Sequence, residues 1–198
     1  MIWWLRAHAA LTCAVVLGAC MICAPLLADS NLPVPSLFSG SSGGIPVPLV
    51  LPVFPACAML YGLKRTPWES GAAAVRSVQC WEAGTAVVAG CTVLVVASVE
   101  GILLDFPLGF AAARNFLGYL GTGLLVQRFA DAQYGPVTVA AVPIVCGLIG
   151  LGPAGRPYPW MWPAHTSGSP LAAAAAGVLF CLGLAAAITQ RSERRRKG

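Results

Sequence analysis

Long apolar stretches alternate with short polar ones along most of the chain. A helix needs about 20 apolar residues to cross the hydrocarbon core of a bilayer. Six stretches approach or exceed that length, although a single arginine interrupts the fourth. The pattern predicts an all-α chain that forms one transmembrane domain over residues 1–198. The predicted spans are residues 7–28, 45–63, 83–104, 107–127, 132–152 and 170–189.

The composition favours the same class of protein. Hydrophobic residues make up 58% of the chain and charged residues 10%, whereas about 25% of the residues in an average soluble domain are charged. The mean hydropathy is +0.77. A soluble fold of this size could not bury so much apolar surface, so the sequence predicts a polytopic integral membrane protein.

The positions of the basic residues favour six spans over five. If both termini are cytoplasmic, the inner segments hold ten of the twelve lysines and arginines, and only Arg114 and Arg156 lie outside. Cytoplasmic loops are enriched in basic residues. With five spans, one terminus would lie outside, and the basic residues would no longer be concentrated in the cytoplasm. The predicted location is a membrane, with both termini in the cytoplasm.

The first apolar stretch raises two alternatives. Its "LGAC" ends at Cys20 like a lipoprotein cleavage site, and Cys20 and Cys23 form a C-x-x-C pair. The apolar run continues to Ala28, which is typical of a spanning helix rather than of a signal sequence. No second cysteine pair or histidine cluster accompanies the C-x-x-C. We therefore expect a retained membrane helix with inert thiols.

The polar segment between the second and third predicted spans, residues 64–82, has a clear helix start. Thr66 suits the N-cap, Pro67 suits the first helical position, and Glu69 follows the cap by three residues. This is the capping-box pattern, in which the threonine and glutamate side chains satisfy free backbone amides. The sequence predicts a short helix on the cytoplasmic side.

One face of that predicted helix is mostly apolar. Trp68, Ala72 and Val75 recur at helical spacing, while Glu69 and Arg76 lie elsewhere on the helix. Such a helix can lie passively along the membrane plane, or it can dock into a groove of a cytosolic partner. The segment alone leaves both alternatives open.

Three charged residues surround the predicted outer turn between the third and fourth spans. They are Glu100, Asp105 and Arg114. Ionisable groups at membrane depth are candidates for function, and an ion pair here would fix a turn at an outer gate. The alternative is a set of end charges that extend toward water and have a purely structural role.

Prolines and tryptophans mark two further features. Pro52 and Pro55 lie inside the second span, where each removes a backbone hydrogen bond, so a kink is expected. Trp160 and Trp162 lie in a Pro-rich outer segment. They predict an interfacial aromatic anchor or a short re-entrant element, and an aromatic ligand pocket is the alternative.

Motifs for catalysis are absent from the sequence. It contains no G-x-x-x-x-G-K-[ST] phosphate loop, no H-E-x-x-H and no G-x-S-x-G. We therefore predict no enzymatic activity, no cofactor and no metal.

The basic C-terminal "QRSERRRKG" directly follows a span, which is typical of an orientation signal or of contact with anionic membrane lipid, not of nucleic-acid binding.

The order of these parts resembles the permease subunits of ATP-binding-cassette (ABC) exporters, in particular a compact six-span bacterial class. Three stretches, which with the order of parts cover most of the chain from about Leu51, also resemble small actinobacterial membrane proteins of this kind. They are "TPWESGAAAVRSVQCWE", "RNFLGYLGTGLLVQRF" and "WPAHTSGSPLAAAAAGVLF".

The resemblance implies a location in a bacterial plasma membrane, a mechanism and partners. Thr66–Gln79 would be the coupling helix, with Trp68, Glu69 and Arg76 as its main contacts to a separate cytosolic ABC ATPase. A second permease chain, identical or related, would complete the transporter. The exported substrate would be hydrophobic, such as an antibiotic, a peptide or a lipid.

Two other functions are alternatives to a permease. A non-transporting accessory subunit would anchor a partner through the same helix and the basic tail. A membrane-embedded enzyme is disfavoured because the sequence has no catalytic constellation.

Overall fold

The computed structural model describes residues 10–35, 42–64, 78–150 and 157–196, and these form a mostly helical fold. A two-stranded hairpin follows the first helix, and a short 3-10 turn precedes the last one. The elements in chain order are α1 (Ala10–Leu26), β1 (Asn31–Pro35), β2 (Ser42–Pro46), α2 (Val47–Val50), α3 (Val53–Lys64), α4 (Val78–Leu103), α5 (Leu108–Phe129), α6 (Tyr134–Ile149), the 3-10 turn (Trp162–Ala164) and α7 (Pro170–Arg196).

The second apolar stretch is broken as its prolines predict. α2 ends at Val50 and α3 begins at Val53, so the break falls at Pro52, which has no N–H to donate. Pro55 is the third residue of α3. The first amides of a helix have no intrahelical acceptor, so Pro55 costs no hydrogen bond there. The predicted kink at Pro52 is confirmed, whereas Pro55 lies within the new first turn.

The prediction of an entirely helical chain was incomplete because of the hairpin. β1 and β2 pair antiparallel, with Leu32 opposite Ile45 and Asn31 opposite Pro46. The segment is rich in proline and glycine, which typically indicate turns and not strands. A two-stranded ribbon has only edge strands, and these tolerate proline. The hairpin leads directly into α2, where the Val47 amide donates to the Ser30 carbonyl at 3.0 Å.

α5 lies at the centre of the fold. It contacts α3, α4, α6 and α7, and fourteen of its 22 residues are buried. The largest of its fully buried side chains belong to Phe116, Tyr119 and Leu120. The helix therefore forms the axis around which the other helices pack.

Two glycines bring α5 and α7 into backbone contact. A Cβ added at Gly183 would lie 2.6 Å from the Gly121 carbonyl oxygen and 2.9 Å from the Gly121 Cα. A Cβ at Gly121 would collide with the backbone of Leu179. Small residues allow helices to approach closely, and this crossing leaves no room for a side chain.

Two helical stretches in the described residues are long and apolar enough to cross a membrane. They are Trp81–Leu103 in α4 and Pro170–Thr189 in α7. By length and composition these two helices point to membrane association. The shorter apolar helical stretches are Leu11–Leu26, Val47–Leu63 and Tyr134–Ile149.

Candidate functional site

Arg114, in the second turn of α5, anchors the segment that precedes α7. Its guanidinium donates to the carbonyl oxygens of Thr166 at 2.9 Å, His165 at 2.9 Å and Trp162 at 3.3 Å. Its Nε also donates to the Asn115 side-chain oxygen at 3.3 Å. The planar guanidinium presents five N–H donors in a fixed fork, which suits several carbonyls on one side.

Asn115 joins the same segment to the break in the second helical stretch. Its side-chain amide donates to the Pro163 carbonyl at 2.8 Å and to the Leu49 carbonyl at 3.1 Å. Asn115 has no exposed surface. The hydroxyl group of Tyr119, one turn further along α5, reaches the Leu49 carbonyl at 3.5 Å. One turn of α5 therefore holds two irregular segments by their backbone.

Trp162 fills the space that a glycine leaves on α5. Its ring centroid lies 5.2 Å from that of Tyr119, at an interplanar angle of 55°. A Cβ at Gly118 would collide with the Trp162 ring. Trp162 is only 9% exposed, whereas Trp160 is 49% exposed. The prediction of an interfacial anchor was therefore wrong for Trp162, which packs inward against α5.

We name residues 157–169 with their contacts to Arg114, Asn115, Gly118 and Tyr119 the anchored loop. Within this loop the Met161 amide donates to the Tyr158 carbonyl at 2.9 Å. Backbone groups of irregular segments must find partners when they are buried. In the anchored loop, α5 side chains supply several of those partners, so the loop is fixed to the central helix.

The predicted outer cluster has a different arrangement from the expected ion pair. Arg114 hydrogen-bonds to carbonyl oxygens and to an amide oxygen, not to a carboxylate. The Oε2 atom of Glu100 is buried with no hydrogen-bond partner. Asp105 is exposed in the turn between α4 and α5, with a positive φ of 50°, which aspartate tolerates better than most residues. Arg114 thus fixes the segment before α7 through carbonyls, and not the turn between α4 and α5 through an ion pair.

Gln127 makes a second set of contacts near the other end of α5. Its side-chain nitrogen donates to the Leu60 carbonyl at 3.2 Å and to the Ala132 carbonyl at 3.0 Å. The contact positions on α5, Asn115 and Gln127, are 12 residues apart, and those on the second stretch, Leu49 and Leu60, are 11 apart. At 1.5 Å per residue these are nearly equal lengths, so the two stretches run parallel and are held at both ends.

A groove of about 420 Å³ lies between α1, α3 and α4. Among the described residues its walls are almost entirely apolar, and Glu100 is the one carboxylate in them. The hydroxyl groups of Thr85 and Thr92, which also line it, donate to carbonyls one turn back in α4, at 2.7 and 2.9 Å. The groove therefore presents an apolar wall and one acidic group.

Most of the predicted coupling helix, residues 66–77, lies outside the described residues, and its last two residues, Val78 and Gln79, begin α4. The part outside the described residues includes Thr66, Pro67, Trp68, Glu69 and Arg76. The segment that contains them joins the end of α3 to the start of α4, and both of these helices line the groove.

The described ranges contain no cluster of side chains that could bind a metal ion. No group of three or more His, Cys, Asp or Glu residues comes together there. Cys20 and Cys23 are free thiols.

The sequence reasoning missed Asn115, Gln127 and the groove. An isolated asparagine or glutamine in an apolar helix is a local signal for a buried hydrogen-bonding role, because an unpaired amide is costly in an apolar environment. The groove has no comparable signal, since its walls come from three separate stretches.

Comparison with protein-family models, with curated proteins and with solved structures finds no match.

Proposed function

We propose that this chain is a multi-pass membrane protein and the membrane-embedded permease subunit of an export system. The observation that carries the membrane assignment is the inverted distribution of polarity. Arg114, Asn115 and Gln127 are buried in the central helix, whereas only 28% of the apolar window in α4 and 17% of that in α7 are buried inside the protein. Exposure of those apolar outer faces to water would be unfavourable, and lipid would cover them instead.

The remaining helical stretches support a six-span arrangement. α5 has 22 residues, while α1 and α6 have 17 and 16, close to the lower limit of about 17 residues for a spanning helix. The second stretch spans Val47–Leu63 with the break at Pro52. Six crossings would place both termini on one side, in agreement with the basic residues.

The groove and its connections support a transport role. α3 and α4 form two of its three walls, and the predicted coupling helix is part of the segment that connects them. A displacement of that helix by a cytosolic ABC ATPase would be transmitted through the chain to both walls. A hydrophobic molecule that enters from the bilayer would bind in the groove and leave when the walls move. A second permease chain would pair with the first.

A specific observation favours the accessory-subunit alternative. Arg114, Asn115 and Gln127, the buried polar side chains of α5, hydrogen-bond to backbone carbonyls of the protein itself. Such contacts fix a structure and do not form a path for a solute. In that case the same fold would anchor a partner, and lipid would occupy the groove.

The experiment that tests these proposals begins with membranes from the native cell. We expect alkaline carbonate to leave the protein in the membrane and mild detergent to extract it together with its partners, which mass spectrometry would identify. Release by carbonate would overturn the membrane assignment. A co-purifying ATPase with a phosphate loop is the result expected for a permease subunit.

Substitutions then test which residues of the chain contact the ATPase. Trp68→Ala and Arg76→Glu should abolish ATPase association, whereas Arg194→Glu, a charge reversal in the basic tail, should retain it. A partner without a nucleotide site would favour the accessory subunit. Purification of the chain alone would contradict both functions.

A further inference from the structure

We propose that the groove between α1, α3 and α4 binds a single-chain amphiphile whose protonated amine lies at Glu100. This inference rests on the proposed membrane location and deepens the proposed export function, because it gives the chemical class of the substrate. It commits to a hydrophobic ammonium compound and not to a two-chain phospholipid.

The shape of the groove selects an elongated ligand. Its α4 wall extends from Thr85 to Glu100, which corresponds to about 22 Å along the helix at 1.5 Å per residue. The volume of about 420 Å³ lies near the lower end of the range for small-molecule sites, about 300–1,000 Å³. One alkyl chain or one narrow ring system fits this long, small space better than two acyl chains do.

The chemistry of the walls requires an apolar body. α1 contributes Leu17 and Met21, and α3 contributes Met59 and Leu63. Methionine side chains adapt to ligands of different shape. Thr85 and Thr92 direct their hydroxyl protons to helix carbonyls. These hydroxyl groups are therefore not available as donors to an anionic or carbonyl-containing ligand.

Glu100 determines the sign of the ligand's charge. The residue is 8% exposed, and its Oε2 is enclosed without a hydrogen-bond partner. A Cβ at Gly109, in the first turn of α5, would lie 3.2 Å from that atom. The carboxyl group therefore lies against the first turn of α5.

No protein cation pairs with this carboxyl group in the described residues. Arg114 of α5 directs its hydrogen bonds to the anchored loop. A buried carboxylate without a counter-charge is costly. Glu100 lines the groove, so an ammonium group bound there would supply that counter-charge, whereas an anion would be repelled.

The test uses the purified full-length protein in phosphatidylcholine nanodiscs, with its partners if they co-purify. The probes are dodecylammonium, dodecanol and dodecanoate, which share one chain and differ in the charge of the head group. Binding is measured by displacement of a fluorescent alkylammonium. We expect dodecylammonium to bind at least tenfold more tightly than dodecanol, and dodecanoate not to compete. Equal affinities for the ammonium and the alcohol in the wild-type protein would overturn the proposal.

Two substitutions test whether the ligand binds in the groove at Glu100. Glu100→Gln should lower the affinity for dodecylammonium at least tenfold and leave that for dodecanol unchanged. Ala89→Trp should fill the groove and abolish binding of both probes. The matched control is Val95→Trp, on an exposed face of α4 that does not line the groove. Unchanged ammonium binding in Glu100→Gln or in Ala89→Trp would contradict the site.

Two further measurements are needed. One distinguishes a single-chain amine from a lipid head group, and the other distinguishes this inference from the export proposal. Competition by phosphatidylethanolamine in the nanodisc as strong as that by dodecylammonium would assign the groove to a lipid head group and overturn the single-chain ligand. ATPase association should persist in Glu100→Gln. Absence of ammonium binding with an intact ATPase complex would therefore refute only this inference. Selective binding without any ATPase would refute only the export proposal.

Discussion

The side-chain amide of Asn115 donates to the carbonyl oxygen of Leu49 at 3.1 Å, where the second helical stretch is broken. In a continuous helix that carbonyl would accept from the amide of Val53, but α2 ends at Val50. The side chain from α5 takes the place of the missing helical donor. The same side chain binds the Pro163 carbonyl at 2.8 Å, so one residue stabilises two irregular segments.

Loss of the Asn115 amide should therefore destabilise the protein. In Asn115→Leu, the Leu49 carbonyl would keep only the long 3.5 Å contact with Tyr119, and Pro163 would lose its side-chain donor. We expect the free energy of unfolding to fall by about 2 kcal/mol, because an unsatisfied buried group costs about 1–3 kcal/mol. The measurement is unfolding in mixed micelles with increasing denaturing detergent.

Ser98→Ala is the control for this prediction. The Ser98 hydroxyl donates only to the Leu94 carbonyl, one turn back in α4, so its loss should change stability by no more than about 0.5 kcal/mol. Equal stability of the two variants would show that Asn115 does not stabilise the helix break at Pro52.

Replacement of Arg114 by lysine should loosen the anchored loop even though the charge is retained. A single ammonium group cannot reproduce the fork that reaches Thr166, His165 and Trp162. We expect the Met161 amide, which donates within the loop at 2.9 Å, to exchange with solvent at least tenfold faster in Arg114→Lys. The measurement is hydrogen exchange followed by mass spectrometry.

Thr122→Ala is the matched control on the same helix. The Thr122 hydroxyl donates locally to the Gly118 carbonyl at 2.8 Å, so its removal should leave exchange in the loop unchanged. Exchange in Arg114→Lys at the wild-type rate would mean that the arginine does not hold the loop.

Alanine should have different effects at two glycines of α7. At Gly183 the new methyl group would lie 2.6 Å from the Gly121 carbonyl oxygen, and overpacking of this kind costs about 1–3 kcal/mol. At Gly177 nothing lies within 4 Å of the added Cβ. There the higher helix propensity of alanine, worth up to about 1 kcal/mol, should act alone.

Thermal melting in detergent is the measurement. Gly183→Ala should melt at a lower temperature than the wild-type protein, and Gly177→Ala at the same or a slightly higher temperature. A normal melting temperature for Gly183→Ala would contradict the backbone contact between α5 and α7.

Much of the helical framework could be predicted from the sequence. Each of the six predicted ranges contains a helix, and the break at Pro52 follows from one missing N–H. These features depend on residues within a few positions of one another. The hairpin could not be predicted in the same way, because Asn31 pairs with Pro46 across an intervening segment and its prolines and glycines typically indicate turns.

The candidate site could be predicted only in part. Arg114 was identified because a charge in an apolar stretch needs a partner, but the expected partner was a carboxylate. The carbonyl of Thr166 is 52 residues away in the chain. No local pattern specifies that contact, since any carbonyl in an irregular segment is a possible acceptor.

The sequence by itself determined where helices form and where one breaks, because hydrophobic length and proline act locally on the backbone. It also determined that an unusually apolar chain carries one arginine and a few amides within its predicted spans. Only the tertiary structure decided what those groups bind. That choice depends on which helices pack against α5, and close approaches such as the one between Gly121 and Gly183 fix the packing. The groove at Glu100 likewise exists only because α1, α3 and α4 meet around it.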